Sequence, residues 1–192
     1  GLFSSPVKPD PTSHHVVDQY LDVVRALGAQ VTRADFSLKP DEAEAAKMSA
    51  LLDELGRDRS KPLVLVNPSS ARSVKRWAPA SMAHAVRILD EAGFQVGFIG
   101  TASDEWAFKE VEAEGLPVVL SLLGRTTVSE LVALISLAQA HVGGDTGSTH
   151  IAAALGIPAY SVYTATRPER SCPYGQIHRC QTTDPVELTD LM

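Results

Sequence analysis

The chain has 192 residues, of which 44% are hydrophobic and 21% are charged, and its net charge at neutral pH is −6. This length suits one domain, and the composition excludes both a disordered tail and a small disulfide scaffold. The acidic balance argues against a general nucleic-acid binder, and no apolar run reaches the ~18 residues of a membrane span.

Two sequence features bear on the compartment. Cys172 and Cys180 are the only two cysteines, too few for a disulfide framework, so a reducing environment is expected. Residues 1–13 are polar and contain proline, without the apolar stretch of a signal peptide. We therefore expect a cytoplasmic protein.

The first 60 residues differ in pattern from the rest. Apolar residues recur at helical spacing over residues 16–27 and 43–55, and a glycine follows each segment. No strand pattern is evident there. Residues 1–60 are therefore predicted to form a linker with two helices that pack on the following domain.

From residue 61 onward, strand and helix patterns alternate, and this region, residues 61–192, is predicted to be one domain. Residues 63–66 are a short, continuous apolar run, typical of a strand buried on both faces, and further strand patterns occur at 96–99, 118–120, 140–142 and 159–163. Helical patterns between them cover about 79–92, 104–114, 127–138 and 151–155. This alternation predicts a doubly wound α/β domain with a mostly parallel sheet and right-handed crossovers.

Ligands of such a sheet bind at the carboxyl ends of the strands, so the loops that follow the strands are the candidate sites. The first, residues 67–77, reads NPSSARSVKRW. It holds three hydroxyls and three cations: Ser69, Ser70, Ser73, Arg72, Lys75 and Arg76. Hydroxyls and cations together bind anions, although a solvated basic loop is an equal alternative.

The second loop, residues 100–105, reads GTASDE. The simplest interpretation is that Ser103 caps the next helix, with Asp104 and Glu105 in its first turn. A carboxylate at this position can also bind the hydroxyls of a ribose.

The third loop, residues 143–150, reads GGDTGSTH and opens a helix. Glycines allow a ligand to approach the backbone closely, and a helix N-terminus carries about +0.5 charge and unsatisfied N–H groups. Polar side chains at the same end come from Asp145, Thr146, Ser148, Thr149 and His150. A plain helix cap is the alternative, but two glycines, an aspartate and a histidine together favour a ligand site.

Other site types fit the sequence poorly. The dinucleotide fingerprint GxGxxG and the hydrolase motif GxSxG are absent, and Asp-Thr-Gly occurs once, before a helical pattern that aspartic proteases lack. The histidines and cysteines show no metal-ligand spacing, so no metal is expected. His84, His141 and His178 are predicted to be structural or surface residues.

The motifs, taken in order, resemble the C-terminal domain of glycosyltransferase family 9, the ADP-heptose:lipopolysaccharide heptosyltransferases. The similarity covers residues 14–175 and centres on the block D-[TS]-G-x-x-H-x-x-A-A-L-G-x-P with an upstream K-R-W. The other matching segments are Ser69-Ser70, residues 100–105, residues 123–127 with Glu130-Leu131, residues 163–168 and residues 173–175. This family has the GT-B architecture, in which two Rossmann-like domains face each other across a cleft and the C-terminal domain binds the nucleotide sugar.

The resemblance implies roles for individual residues. It implies that Ser69, Ser70 and Lys75 hold the diphosphate, that Asp104 or Glu105 approaches the ribose, and that Thr126 lies near the adenine. It assigns the diphosphate and donor sugar to Asp145, Thr146, Gly147, Ser148 and His150. Of these residues, Lys75, Asp145 and His150 are the ones expected to take part in catalysis.

The resemblance also implies an inverting sugar transfer from an ADP-heptose-like donor, without a cofactor or metal. The acceptor, a lipopolysaccharide core or another lipid-linked sugar, and the general base would belong to an N-terminal domain absent from this chain. Binding without transfer is therefore expected of the chain alone, and a place in the cytoplasm, peripheral to the inner membrane, is implied.

Three positions depart from the common family pattern. The chain has Asn67-Pro68-Ser69-Ser70 for His-Pro-Gly-Ala, residues 164–166 read TAT where Gly-Pro-Thr is common, and Trp77-Ala78 stands for Trp-Pro. Phosphate-binding chemistry survives these changes, but it does not choose between bases. A GT-B transferase that uses a UDP-sugar and a non-catalytic nucleotide-binding module remain as alternatives.

Overall fold

The computed structural model describes residues 6–32, 34–68, 78–116 and 119–182. Its helices are α1 Val16–Ala26, α2 Glu42–Glu54, α3 Pro79–Glu91, α4 Glu105–Ala113, α5 Val128–Ser136, α6 Gly147–Ala154 and α7 Pro168–Ser171. Its strands are β1 Leu63–Asn67, β2 Gln95–Phe98, β3 Leu120–Ser121, β4 Ala140–Gly144, β5 Ala159–Val162 and β6 Cys180–Gln181. Short 3₁₀ turns cover Ala102–Asp104 and Ile177–Arg179.

The strands form one parallel sheet in the order β3-β2-β1-β4-β5-β6. This arrangement confirms the predicted doubly wound α/β class. The first four residues of β1 and all of β2, β4 and β5 are fully or almost fully buried, which explains why their sequences are mostly apolar. The chain order along the sheet reverses between β1 and β4, and a ligand crevice is expected where it does so.

Two apolar cores lie on the two faces of this sheet. One is built around Phe98 with α3 and α4, and the other around Leu65 with α2, α5 and α6. Met48 and Leu52 bring α2 into the second core, so this N-terminal helix is part of the packed domain surface. By contrast, Tyr20 of α1 and Leu27, which follows the helix, are exposed to solvent.

Local sequence signals explain several helix starts. Asp41 accepts a hydrogen bond from the backbone N–H of Glu44 at 3.0 Å and caps α2. Thr127 and Glu130 form the predicted capping box of α5, and Glu130 also pairs with Lys47 of α2. That ion pair fastens α2 to α5, which lies on the same face of the sheet.

The other strands agree with the sequence analysis to within one or two residues, and the third and sixth strands need comment. The third strand is Leu120–Ser121, and Val118, where it was expected to begin, lies outside the described residues. The sixth strand, Cys180–Gln181, was not predicted. It contains only two residues and is recognisable through its pairing with Ser161 and Val162 of β5, which a sequence pattern does not reveal.

Candidate functional site

The crevice at the sheet's carboxyl edge lies between β1 and β4. Asn67, the last residue of β1, pairs in register with Gly143, and β4 ends one residue later. Only Asp145 and Thr146 separate β4 from α6, so the N-terminus of α6 opens at this edge. The third loop is therefore placed where the topology predicts a ligand site.

The first turn of α6 leaves its N–H groups available. Thr146 is the N-cap residue, in extended conformation, and its side chain makes no capping hydrogen bond. Among the described residues, the backbone N–H groups of Gly147 and Ser148 have no acceptor. Two such donors, together with the helix dipole, can bind an anion.

Gly147 is not required by the packing of the protein. Its φ is not positive, and a Cβ atom built at this position would meet nothing within 4 Å. A small residue here therefore leaves open space directly at the uncapped end of α6.

Asp145 and His150 lie at the same end of α6. Asp145 accepts a hydrogen bond from Thr166 Oγ1 at 2.7 Å, which ties the loop after β4 to the loop after β5. Its other oxygen, Oδ1, lies 4.0 Å from His150 Nε2. The side chain of His150 is 44% exposed and that of Asp145 is 15% exposed, so both reach the rim of the crevice.

Four of the predicted residues, Asp145, Thr146, Gly147 and His150, are thus brought together by the structure. Ser148 differs, because its side chain points into the protein. Its hydroxyl accepts a hydrogen bond from Asn67 Nδ2 at 2.9 Å and shares another, 3.0 Å long, with His141 Nε2. Only the backbone N–H of Ser148 is placed for a ligand.

His141 was expected to be an isolated structural or surface histidine, and the structure places it fully inside the domain. Burial, with a smaller contribution from His150, lowers its pKa to about 3, so the imidazole is neutral at physiological pH. A histidine two positions before Gly143 within an apolar strand was the available signal, but its partner Ser148 was not evident from the sequence.

The second loop is held by Asp104. Thr101 donates from its backbone N–H at 2.8 Å and from its hydroxyl at 2.7 Å to Asp104 Oδ2. Thr101 is therefore the N-cap of this turn, and the assignment of that role to Ser103 was wrong. A Cβ atom at Gly100 would approach Asp104 Oδ2 to 2.9 Å, so a glycine is needed there.

The two carboxylates proposed for a ribose are therefore not equivalent. Asp104 is buried and bonded within its own loop, whereas Glu105, the first residue of α4, is exposed. Glu105 is the one that solvent or a ligand can reach. Its nearest described cation is Lys109, at 3.6 Å.

Thr126 flanks the same loop. The backbone N–H of Gly124 donates to Gly100 O at 2.9 Å, and a Cβ atom at Gly124 would lie 3.0 Å from that of Ala102. These contacts bring the segment after β3 against the segment after β2. Thr126, partly buried, lies two residues beyond Gly124.

Ser69, Ser70 and Lys75 lie outside the described residues, so their assignment to a diphosphate stays a prediction. In the part of the chain that the structure describes, no group of three or more acidic, histidine or cysteine side chains could ligate a metal ion. No described helix is long and apolar enough to span a membrane.

Comparison with known proteins gives a consistent family. The profile of glycosyltransferase family 9 (heptosyltransferase) matches residues 2–186. Lipopolysaccharide heptosyltransferase 3 of Escherichia coli is 30% identical in an alignment 155 residues long, which covers 79% of this chain and 45% of that protein. The chain thus spans about half the length of the curated relatives it matches.

Two solved structures share the fold. A family 9 glycosyl transferase from Veillonella parvula aligns with 97% of this chain and 54% of its own, with a TM-score of 0.79 and 21% identity. Heptosyltransferase WaaC of E. coli, solved with ADP, aligns with 86% of this chain and 48% of its own, with a TM-score of 0.62 and 23% identity.

Proposed function

Because the chain belongs to glycosyltransferase family 9, we propose that it is the donor-binding half of a sugar transferase whose donor is ADP-heptose or a close analogue. The observation that carries this proposal is the uncapped N-terminus of α6, which opens at the point where the strand order reverses. The heptosyltransferase WaaC of E. coli, which shares the fold, was solved with ADP, and this supports adenine as the base.

In this proposal, the diphosphate lies over the first turn of α6. The N–H groups of Gly147 and Ser148 donate to its oxygens, and the open space at Gly147 admits it. Ser69, Ser70 and Lys75, which follow β1 in the sequence, bind the same diphosphate, and the Lys75 ammonium offsets its negative charge. Glu105 is better placed than Asp104 to bind the ribose hydroxyls because it is exposed.

The proposed reaction is a direct displacement with inversion. An acceptor hydroxyl attacks the anomeric carbon, a new glycosidic bond forms, and the bond from that carbon to the diphosphate oxygen breaks. The leaving diphosphate gains charge in the transition state, and the α6 N-terminus and Lys75 stabilise that charge. The hydroxyl proton goes to a general base outside this chain.

Asp145 and His150 serve the donor sugar in this proposal. A carboxylate oxygen accepts hydrogen bonds from sugar hydroxyls, and Thr166 holds Asp145 in place. The imidazole of His150 lies beside that carboxylate and reaches the crevice. Both residues can therefore orient the sugar relative to the bond that breaks.

The acceptor is proposed to be a lipopolysaccharide core or another lipid-linked sugar, bound through a second domain. Two considerations support this part: the family to which the chain belongs, and its span of about half its curated relatives. The chain alone is therefore expected to bind the nucleotide without transferring sugar. The proposed localisation is the cytoplasm, at the surface of the inner membrane.

Calorimetric titration of the chain with ADP and with UDP tests the proposal. ADP should bind more tightly, and Lys75→Ala should weaken binding by about 1.5–3 kcal/mol because a charge-assisted contact is lost. Lys61→Ala is the matched control, since Lys61 precedes β1 at the opposite edge of the sheet and faces Asp90 at 3.6 Å. Preference for UDP would overturn the donor assignment, and equal losses in both variants would overturn the site.

A further inference from the structure

Three polar side chains beneath the crevice form a hydrogen-bonded unit, here called the buried trio: Asn67, His141 and Ser148. Ser148 Oγ bonds to Asn67 Nδ2 at 2.9 Å and to His141 Nε2 at 3.0 Å. All three side chains are almost fully buried. They come from the end of β1, the interior of β4 and the start of α6, so one hydroxyl joins three elements.

The position of His141 is costly for the fold. It pairs in register with Leu65 on β1 and Ala159 on β5, and both of these belong to the apolar core on that face of the sheet. Its Nδ1 atom is buried and has no hydrogen-bond partner among the described residues. Since an unsatisfied buried polar atom destabilises a fold, an apolar side chain would serve the core better.

The imidazole also fixes its surroundings. A Cβ atom at Gly143 would lie 2.9 Å from His141 Cε1 and 3.2 Å from Thr149 Oγ1. The ring therefore extends along β4, over Gly143, toward the first turn of α6. Thr149, which donates from Oγ1 to Gly144 O at 2.9 Å, closes the other side of the same space.

We propose that His141 is a positioning residue for the donor site, acting through Ser148 on the first turn of α6. This inference rests on the proposed function, in which the α6 N–H groups and the residues that follow Asn67 bind the same diphosphate. The buried trio holds the first turn of α6 against the end of β1 and against β4. Anion binding by several donors depends on their mutual placement. The trio therefore improves ligand binding, although its buried polar atoms lower the stability of the fold.

The alternative is that His141 serves only the packing of the core, and the expected outcome is then different. In that case, any substitution of His141 would change nucleotide affinity only as far as it changes stability. If His141 positions α6, an apolar substitution should keep or increase the stability of the chain and should lower its affinity for the nucleotide.

The experiment compares the whole chain with His141→Met, His141→Gln and Leu65→Met. Methionine fills the space without hydrogen bonding to Ser148, glutamine restores a polar atom at similar reach, and Leu65→Met is an apolar control on the same face. We expect His141→Met to keep its urea midpoint while its Kd for ADP rises about 5- to 10-fold, the loss of roughly one hydrogen bond's net contribution. Glutamine should recover most of that affinity, and Leu65→Met should leave the Kd unchanged.

An unchanged Kd in His141→Met would overturn the inference, as would parallel losses of affinity and stability in both methionine variants. Amide hydrogen exchange of the free chains provides a readout that needs no ligand. His141→Met should accelerate exchange at Ile151 and Ala152, in the first turns of α6, relative to α3. If the wild-type chain binds no ADP, the proposed function fails. The exchange pattern then decides by itself whether the trio positions α6. Locally faster exchange supports that role, and unchanged exchange overturns it.

Discussion

Thr166 donates its hydroxyl hydrogen to the Asp145 carboxylate over 2.7 Å, and this bond joins the loops that follow two neighbouring strands. Asp145 comes directly after β4, and Thr166 follows β5. The carboxylate is thereby held at the rim of the crevice, beside the start of α6.

Removing that hydroxyl should weaken sugar recognition without unfolding the domain. Thr166→Val keeps the shape of the side chain but loses a hydrogen bond to a charged group, worth about 1.5 kcal/mol or roughly tenfold in affinity. We expect a loss of this size for the intact nucleotide sugar in calorimetry, a smaller one for ADP alone, and recovery in Thr166→Ser. Equal losses for both ligands would place Asp145 at the diphosphate instead.

Gly147→Ala should affect the stability of the chain and its affinity for ADP in different directions. Because the added methyl group meets no protein atom, and alanine favours helices over glycine by about 1 kcal/mol, the variant should be as stable as the wild-type chain or more so. Its affinity for ADP should nevertheless fall, since the methyl group enters the space assigned to the diphosphate. Thermal unfolding and ADP titration of the same samples check both parts, and undiminished ADP affinity would contradict the assignment.

His141 should make the domain sensitive to acid. Its pKa is about 3 in the folded chain against an ordinary 6.5, so unfolding takes up a proton between those values. The free energy of unfolding should then fall as the pH drops below 6.5, with a contribution of up to about 1.4 kcal/mol per pH unit from this group. Urea unfolding of wild type and His141→Met at pH 7, 6 and 5 tests this, because the stability difference should shift steadily in favour of the variant. A constant difference would contradict burial of a neutral imidazole.

Glu130 should make the domain sensitive to acid in the same direction as His141, over a lower pH range. Its hydrogen bonds with Lys47 and Thr127 lower its pKa from 4.5 to about 2, so its contribution to stability is complete above 4.5 and is lost as the pH falls toward 2. Glu130→Gln should therefore lower the urea midpoint at pH 7 and make little difference at pH 2.5. Lys47→Met, which removes the ion pair and leaves the α5 capping box intact, should also lower the midpoint at pH 7, and an unchanged midpoint in both variants would contradict this account.

The parallel α/β class was predictable because short, mostly apolar segments alternate with helical patterns along the chain. The same alternation predicts the position of the candidate site, since residues 143–150 come after such a segment and open a helix. Local sequence signals for helix caps were less reliable. Thr101 and Ser103 are both suitable caps, and only the position of the Asp104 carboxylate decides in favour of Thr101.

The contacts missed by sequence reasoning join distant parts of the chain. Asn67 and Ser148 are 81 positions apart, and nothing in either segment predicts their hydrogen bond. Ser148 is predicted as a ligand contact because it stands among other candidate site residues, whereas the helical turn directs its side chain toward His141. Strand β6 was missed for a similar reason, since its two residues become a strand only by pairing with β5.

The most direct test of the account is a ¹⁵N–¹H spectrum of the chain recorded during titration with ADP. The central claim is that the diphosphate binds at the N-terminus of α6, so the amide signals of Gly147 and Ser148 should move the most and saturate together. The amide signal of Gly56, near the opposite edge of the sheet, should not shift. Saturable binding that shifts Gly56 and leaves Gly147 and Ser148 unmoved would contradict the claim.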